Sequence, residues 1–168
     1  MKWEDLLALA IVLSFFFVCA LNMNNKIPDY DESVYYYHGR LILHPELYDF
    51  CTVDPQRCDV YPPKALGPLT ILTFTDHPPL GKYIIAFAFW INETLFTGRL
   101  ITLLFGCATV LLTYLIAKKF YGSFVGLLSA FFIASSLSFT SLSILLFHDV
   151  PMSFFVVSSI YFFYIDQD

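Results

Sequence analysis

Charge is what this sequence has least of. Only 14% of its 168 residues are charged, against roughly 25% in an average soluble domain. Set beside 58% apolar and 19% aromatic residues, that scarcity marks a chain built to sit in lipid. A basic excess is missing as well. Nine Lys and Arg face fourteen Asp and Glu, a formal net charge of −5, so no basic face is available to neutralise a run of phosphates and nucleic acid is excluded as a partner. There is no spare length either: a set of spans and one loop nearly exhaust the chain, leaving no room for a soluble catalytic domain. Chemistry is therefore expected at the membrane surface. No internal repeat is visible. The loop histidines His38, His44 and His77 show no ligand spacing, and the six residues between Cys51 and Cys58 do not match a zinc pairing. Neither a structural metal nor a cofactor is expected.

What is present is long apolar runs. A helix crossing about 30 Å of hydrocarbon at about 1.5 Å per residue needs about 20 mostly apolar residues. Leu6 to Leu21 is broken only by Ser14, and Leu100 to Ala117 carries no charge between Arg99 and Lys118. Residues 120–147 are also free of charge, then meet His148-Asp149-Val150-Pro151 and continue apolar to Ile165. The expectation is a single all-α polytopic membrane domain with spans over about 6–22, 99–118, 120–140 and 148–165, the last two joined by a turn in the hydroxyl-rich Ser135 to Ser143. A cleaved signal peptide, with Val18-Cys19-Ala20 as its processing site, is the alternative for the first span.

Between the first two spans, about residues 23–82 hold eight of the nine prolines and eight of the fourteen acids. Prolines at that density exclude long helices and central strands, so a polar loop with short helices is expected, one of them over Ser33 to Leu43. Cys51 and Cys58 lie in it and are suited to a small disulfide loop; Cys19 and Cys107, within spans, read as packing residues. Tyr83 to Ile91 is apolar for only nine residues, too short to cross, and about 80–91 is read as an interfacial helix anchored by Tyr83 and Trp90. If it does not cross, the amino terminus and Lys118-Lys119 share the cytoplasmic side, as the positive-inside rule prefers. Asp31, Glu32, His77, Lys82, His148 and Asp149 then meet on one outer face.

Four polar groupings stand out. Asp31-Glu32, about ten residues past a span, suits a base held near the headgroup plane; the plainer reading makes Asp31 or Asp29 a helix N-cap. His77-Pro78-Pro79-Leu80-Gly81-Lys82 is a rigid corner whose His77 and Lys82 suit a lipid phosphate, while Lys82 also reads as a snorkelling anchor. Arg99 opens the second span, and His148-Asp149 opens the last, where an acid before Pro151 also fits a helix start.

Together these groupings resemble the amino-terminal part of the protein O-mannosyltransferases and their lipid A aminoarabinose transferase relatives, membrane glycosyltransferases of the C-type fold. The six-residue string His77 to Lys82 is the most specific piece, and the likeness runs from the first span to the last. The resemblance implies transfer of a sugar, with mannose favoured, from a polyprenyl or dolichyl phosphate donor to a protein or lipid hydroxyl on the outer or lumenal face. By position it implies Asp31 as the catalytic base with Glu32 beside it, Lys82 and Arg99 stabilising the departing phosphate, His77 shaping the pocket and Asp149 as the second acidic position. The chain departs from the family in having no arginine between Ser141 and Phe147, and in placing His148 where a leucine is usual. Its length implies a fragment of a longer enzyme in the plasma membrane or endoplasmic reticulum, with a homo- or hetero-oligomer left open. The competing reading is a non-catalytic membrane subunit or relic of the same fold. A transporter fits less well, because the spans keep their ionisable groups at their ends.

Overall fold

The computed structural model describes residues 2–28, 30–44 and 79–165. His77, the Cys51 and Cys58 pair, Asp29 and most of the expected outer loop lie outside the described residues. Within them the chain is all helical: α1 (Trp3–Met23), α2 (Tyr30–Leu43), α3 (Pro79–Ile91), α4 (Leu95–Tyr121), α5 (Ser123–Ser135), α6 (Leu137–Ser143) and α7 (Asp149–Ile165).

Among the described residues, α1 and α4 are the two single helices long and apolar enough to cross a membrane, and they run antiparallel. At one end the Asp5 carboxylate accepts from Lys118 Nζ and, at 2.8 Å, from the Tyr114 hydroxyl. At the other, Arg99 reaches the carbonyls of Met23 and Lys26 as α1 ends. Helix α4 starts where the Thr94 hydroxyl accepts from the Thr97 amide and stops at Gly122, whose φ of 87° only glycine adopts without strain. That single residue turns the chain back into α5, which packs against α4 with Tyr114, Val110 and Ala130 in a core shared with Ala8, Phe15 and Cys19 of α1.

The third expected span is a bent pair. Ser136 leaves the helical region, its hydroxyl caps α6 by accepting from the Phe139 amide, and α5 and α6 meet at 64°. Serine in an apolar run gives the backbone this alternative partner. The turn foreseen at 135–143 is therefore a kink followed by a short helix, and the chain reverses later, over 144–148. Helix α7 then runs alongside α4, Phe154 and Phe155 packing on Phe105 and Lys119 meeting the Tyr164 carbonyl. Its 17 residues cover about 25 Å, slightly less than the hydrocarbon thickness. Cys19 is fully buried, in keeping with a packing role.

The expected short helix in the loop is present and begins earlier, at Tyr30. It lies parallel to α3: Tyr35 is near the start of α3 through His148, Gly39 meets Ile85 and Phe89, and Arg40 and His44 both bind Glu93 past the end of α3. Helix α3 has 13 residues, about 20 Å, and packs on α2 and α4.

Candidate active site

Adjacent acids on a helix point about 100° apart, so only one of the pair Asp31-Glu32 can face the protein. It is Glu32. Glu32 shares a stripe with Tyr35 and Gly39, the i, i+3, i+7 positions, and all three are buried, whereas Asp31 is exposed. The Glu32 carboxylate is completely enclosed, and Arg99 grips it with both arms of the guanidinium, Nε to Oε1 at 2.7 Å and Nη2 to Oε2 at 2.6 Å. Its Oε1 also accepts from the backbone amide of Leu146 at 2.8 Å.

Arg99 is itself 97% enclosed. Beyond Glu32 it donates to the Met23 carbonyl through Nη1 and to the Lys26 carbonyl at 3.1 Å through Nη2. It thereby caps the open carbonyls at the end of α1, holds the head of α2, and, through Glu32, fixes the turn before α7. Arg99 was expected to face a phosphate; here its donors are directed at protein oxygens. A buried charge survives only when paired and hydrogen-bonded on all sides, and this pair meets that condition.

Leu146 completes the joint from the other direction. A Cβ at Gly98 would come within 2.7 Å of the Leu146 side chain and 3.1 Å of Phe89, so the missing side chain at 98 is what lets Leu146 wedge between α3 and α4. Next to it, the His148 ring lies 3.9 Å from the Tyr35 ring, and its Cβ would be 2.7 Å from a Cβ placed at Gly81. The head of α3 and the head of α7 thus touch through Gly81 and His148.

Lys82 follows Gly81 and falls on the stripe of Ile85, Ala86 and Phe89 that packs toward α2. In the parallel α2 and α3 pair this sets it level with the first turns of α2, which carry Asp31, Glu32 and Tyr35. The residue is 99% buried, its Nζ has no hydrogen-bond partner among the described residues, and burial lowers the pKa of the amine below its ordinary value. Asp149 is exposed. It is the first residue of α7 and not its cap: the His148 carbonyl accepts the first helical bond, from the Met152 amide at 2.9 Å. Asp31 is likewise inside α2 and not at its cap. Both acids sit in a first turn, where the helix dipole favours negative charge.

The structure therefore brings Glu32, Arg99, Lys82 and the start of α7 to one end of the α1 and α4 pair, with Asp31 and Asp149 at its surface. His77 lies outside the described residues. Sequence reasoning did not find the Leu146 amide, the Tyr35 and His148 contact or the close approaches at Gly81 and Gly98. The i, i+3, i+7 stripe of Glu32, Tyr35 and Gly39 was the one visible signal. Among the described residues no group of histidines, cysteines and acids is arranged to hold a metal.

A family model described as dolichyl-phosphate-mannose-protein mannosyltransferase matches residues 76–166, more than half of the chain. The chain belongs to this family. It is accordingly an integral membrane protein of the mannosyltransferase type, a class of membrane glycosyltransferase. The matched stretch contains His77, Lys82, Arg99 and Asp149 and stops short of Asp31 and Glu32. No curated protein and no solved structure matches the chain.

Proposed function

We propose that this mannosyltransferase-family chain moves a sugar, most simply mannose, from a polyprenyl or dolichyl phosphate to a hydroxyl of a protein or lipid, at the outer or lumenal face. The observation that carries the reading is the division of the acidic pair between interior and surface: Glu32 is enclosed, held by Arg99 and the Leu146 amide, while Asp31 lies exposed at the surface. Asp31 accepts the proton of the acceptor hydroxyl as its oxygen attacks the anomeric carbon. The bond from that carbon to the phosphate oxygen breaks, and the polyprenyl phosphate leaves with one more negative charge. A positioned base of this kind typically contributes 10²- to 10⁴-fold.

Lys82 is the cation suited to the leaving phosphate. A buried ammonium with no hydrogen-bond partner among the described residues is costly, and a phosphate anion would relieve that cost while gaining from the dry surroundings. Arg99 and Glu32 are positioning residues that hold the head of α2 in register. Asp149 is assigned to the same polar face, and His77, outside the described residues, is proposed as a substrate-binding residue. The antiparallel α1 and α4, the bent α5 and α6 and the shorter α7 support four passes, with α3 lying along the interface. The reaction as written uses no cofactor.

Asp31→Asn is the direct test. In membranes supplied with labelled polyprenyl phosphate mannose, transfer should fall at least about 10²-fold while insertion and yield stay at wild-type levels; undiminished transfer removes Asp31 from the mechanism. A chain that inserts yet transfers from no lipid-linked sugar would instead favour the non-catalytic subunit.

A further inference from the structure

Between α3 and α7 runs a cleft of about 340 Å³ lined by Leu80, Gly81, Ile84, His148 and a strip of α7 from Pro151 to Ser159. Its lining is apolar except at two places. His148 stands at the head, where α3 and α7 touch, and Ser159 lies eleven residues further along, about 16 Å away at the helical rise. The result is an apolar trough with an imidazole at one end. That is the shape of an amphiphile with a polar head and a chain of prenyl units. The His148 ring is pressed against Tyr35, one turn beyond Glu32.

We infer that His148 seats and selects the donor: its imidazole meets the phosphate end of the polyprenyl phosphate sugar, and the prenyl chain lies in the cleft between α3 and α7. This rests on the proposed use of a lipid phosphate donor and adds where the lipid lies and which residue reads its head. Three features support it. The trough opens at the Gly81 and His148 contact, where the heads of α3 and α7 meet at the same end of the bundle as Glu32 and Arg99. The ring is 94% enclosed, and a hydrogen bond made in so dry a place counts for more than one in water. The Tyr35 contact ties the ring to the helix that carries Asp31, so donor and base share one support.

The test uses the full chain in membranes and a diazirine-bearing polyprenyl phosphate without sugar, so that binding is read apart from transfer. Adducts should map to the α7 strip from Pro151 to Ser159, and His148→Leu should cut labelling about tenfold, with His148→Gln recovering part of it. Met152→Trp, which fills the trough from its exposed wall, should also block labelling. With labelled donor, His148→Leu should raise KM about tenfold and leave kcat within about twofold. Adducts on the larger apolar groove of about 830 Å³ between α1 and the bent α5 and α6, or labelling unchanged in both variants, would overturn the inference. Specific labelling of the trough in a chain that transfers no sugar would keep it and sink the enzyme reading instead.

Discussion

Lys82 shows most plainly how one side chain's surroundings set its chemistry. Its ammonium is buried away from water, and desolvation favours the neutral amine, so its pKa falls below the ordinary 10.5. In the unfolded chain the amine keeps its proton to higher pH. Stability therefore rises with pH through the window between the lowered folded value and 10.5. Donor binding runs the other way, because a phosphate needs the charged form. The expected outcome is a donor KM that climbs on the alkaline side below pH 10.5, measured from initial transfer rates across pH. Lys82→Arg, whose charge persists over that range, should flatten the climb. An identical alkaline limb in both proteins would take Lys82 out of phosphate binding. Glu93 behaves oppositely. Burial would raise its carboxyl, but hydrogen bonds from Arg40 and His44 outweigh that and hold it below the ordinary 4.5. The clasp it forms between the end of α2 and the head of α4 is retained above pH 4.5 and lost as the pH falls through the lowered folded value.

Between elements, Arg99 is the joint. It ties α4 to the last carbonyl of α1, to the Lys26 carbonyl just beyond it and to α2, and Glu32 carries the tie to the turn before α7. Arg99→Ala would leave the Glu32 carboxylate enclosed and unpaired, at a cost of about 3–5 kcal/mol. The double variant with Glu32→Gln should recover a good part of it, since the neutral amide still accepts from the Leu146 amide. Thermal unfolding in detergent measures both, and a double variant no more stable than Arg99→Ala alone would contradict the pairing. Much at this scale was legible in the sequence. Leu6 to Leu21 and Leu100 to Ala117 announced α1 and α4 by length and lack of charge; the turn between α4 and α5 was placed near residue 119, and the structure puts it at Gly122, where φ is positive. The bend at Ser136 was not legible as a bend. A serine-rich stretch signals a break but not whether the chain reverses there or kinks and continues, because a short capped helix satisfies the same hydroxyls.

At the scale of the whole molecule, the polar end and the basic end are sorted. Asp5 pairs with Lys118 at one end of the α1 and α4 pair, Lys119 meets the end of α7 beside them, and Glu32, Arg99, Lys82 and His148 collect at the other. In the sequence this grouping was expected from one parity argument, that the nine apolar residues Tyr83 to Ile91 are too short to cross. The sequence could not tell which acid of the pair would turn inward, because that depends on Arg99 and the Leu146 amide, 67 and 114 residues away in the chain. The most direct measurement is sidedness in sealed vesicles. With the native cysteines replaced, single cysteines at the exposed positions Asp31→Cys and Asp149→Cys are labelled with a membrane-impermeant maleimide. Both should react from the same side, opposite to a cysteine placed at Lys119. Reaction of positions 31 and 149 from opposite sides would separate the base from the start of α7 and contradict a single active face.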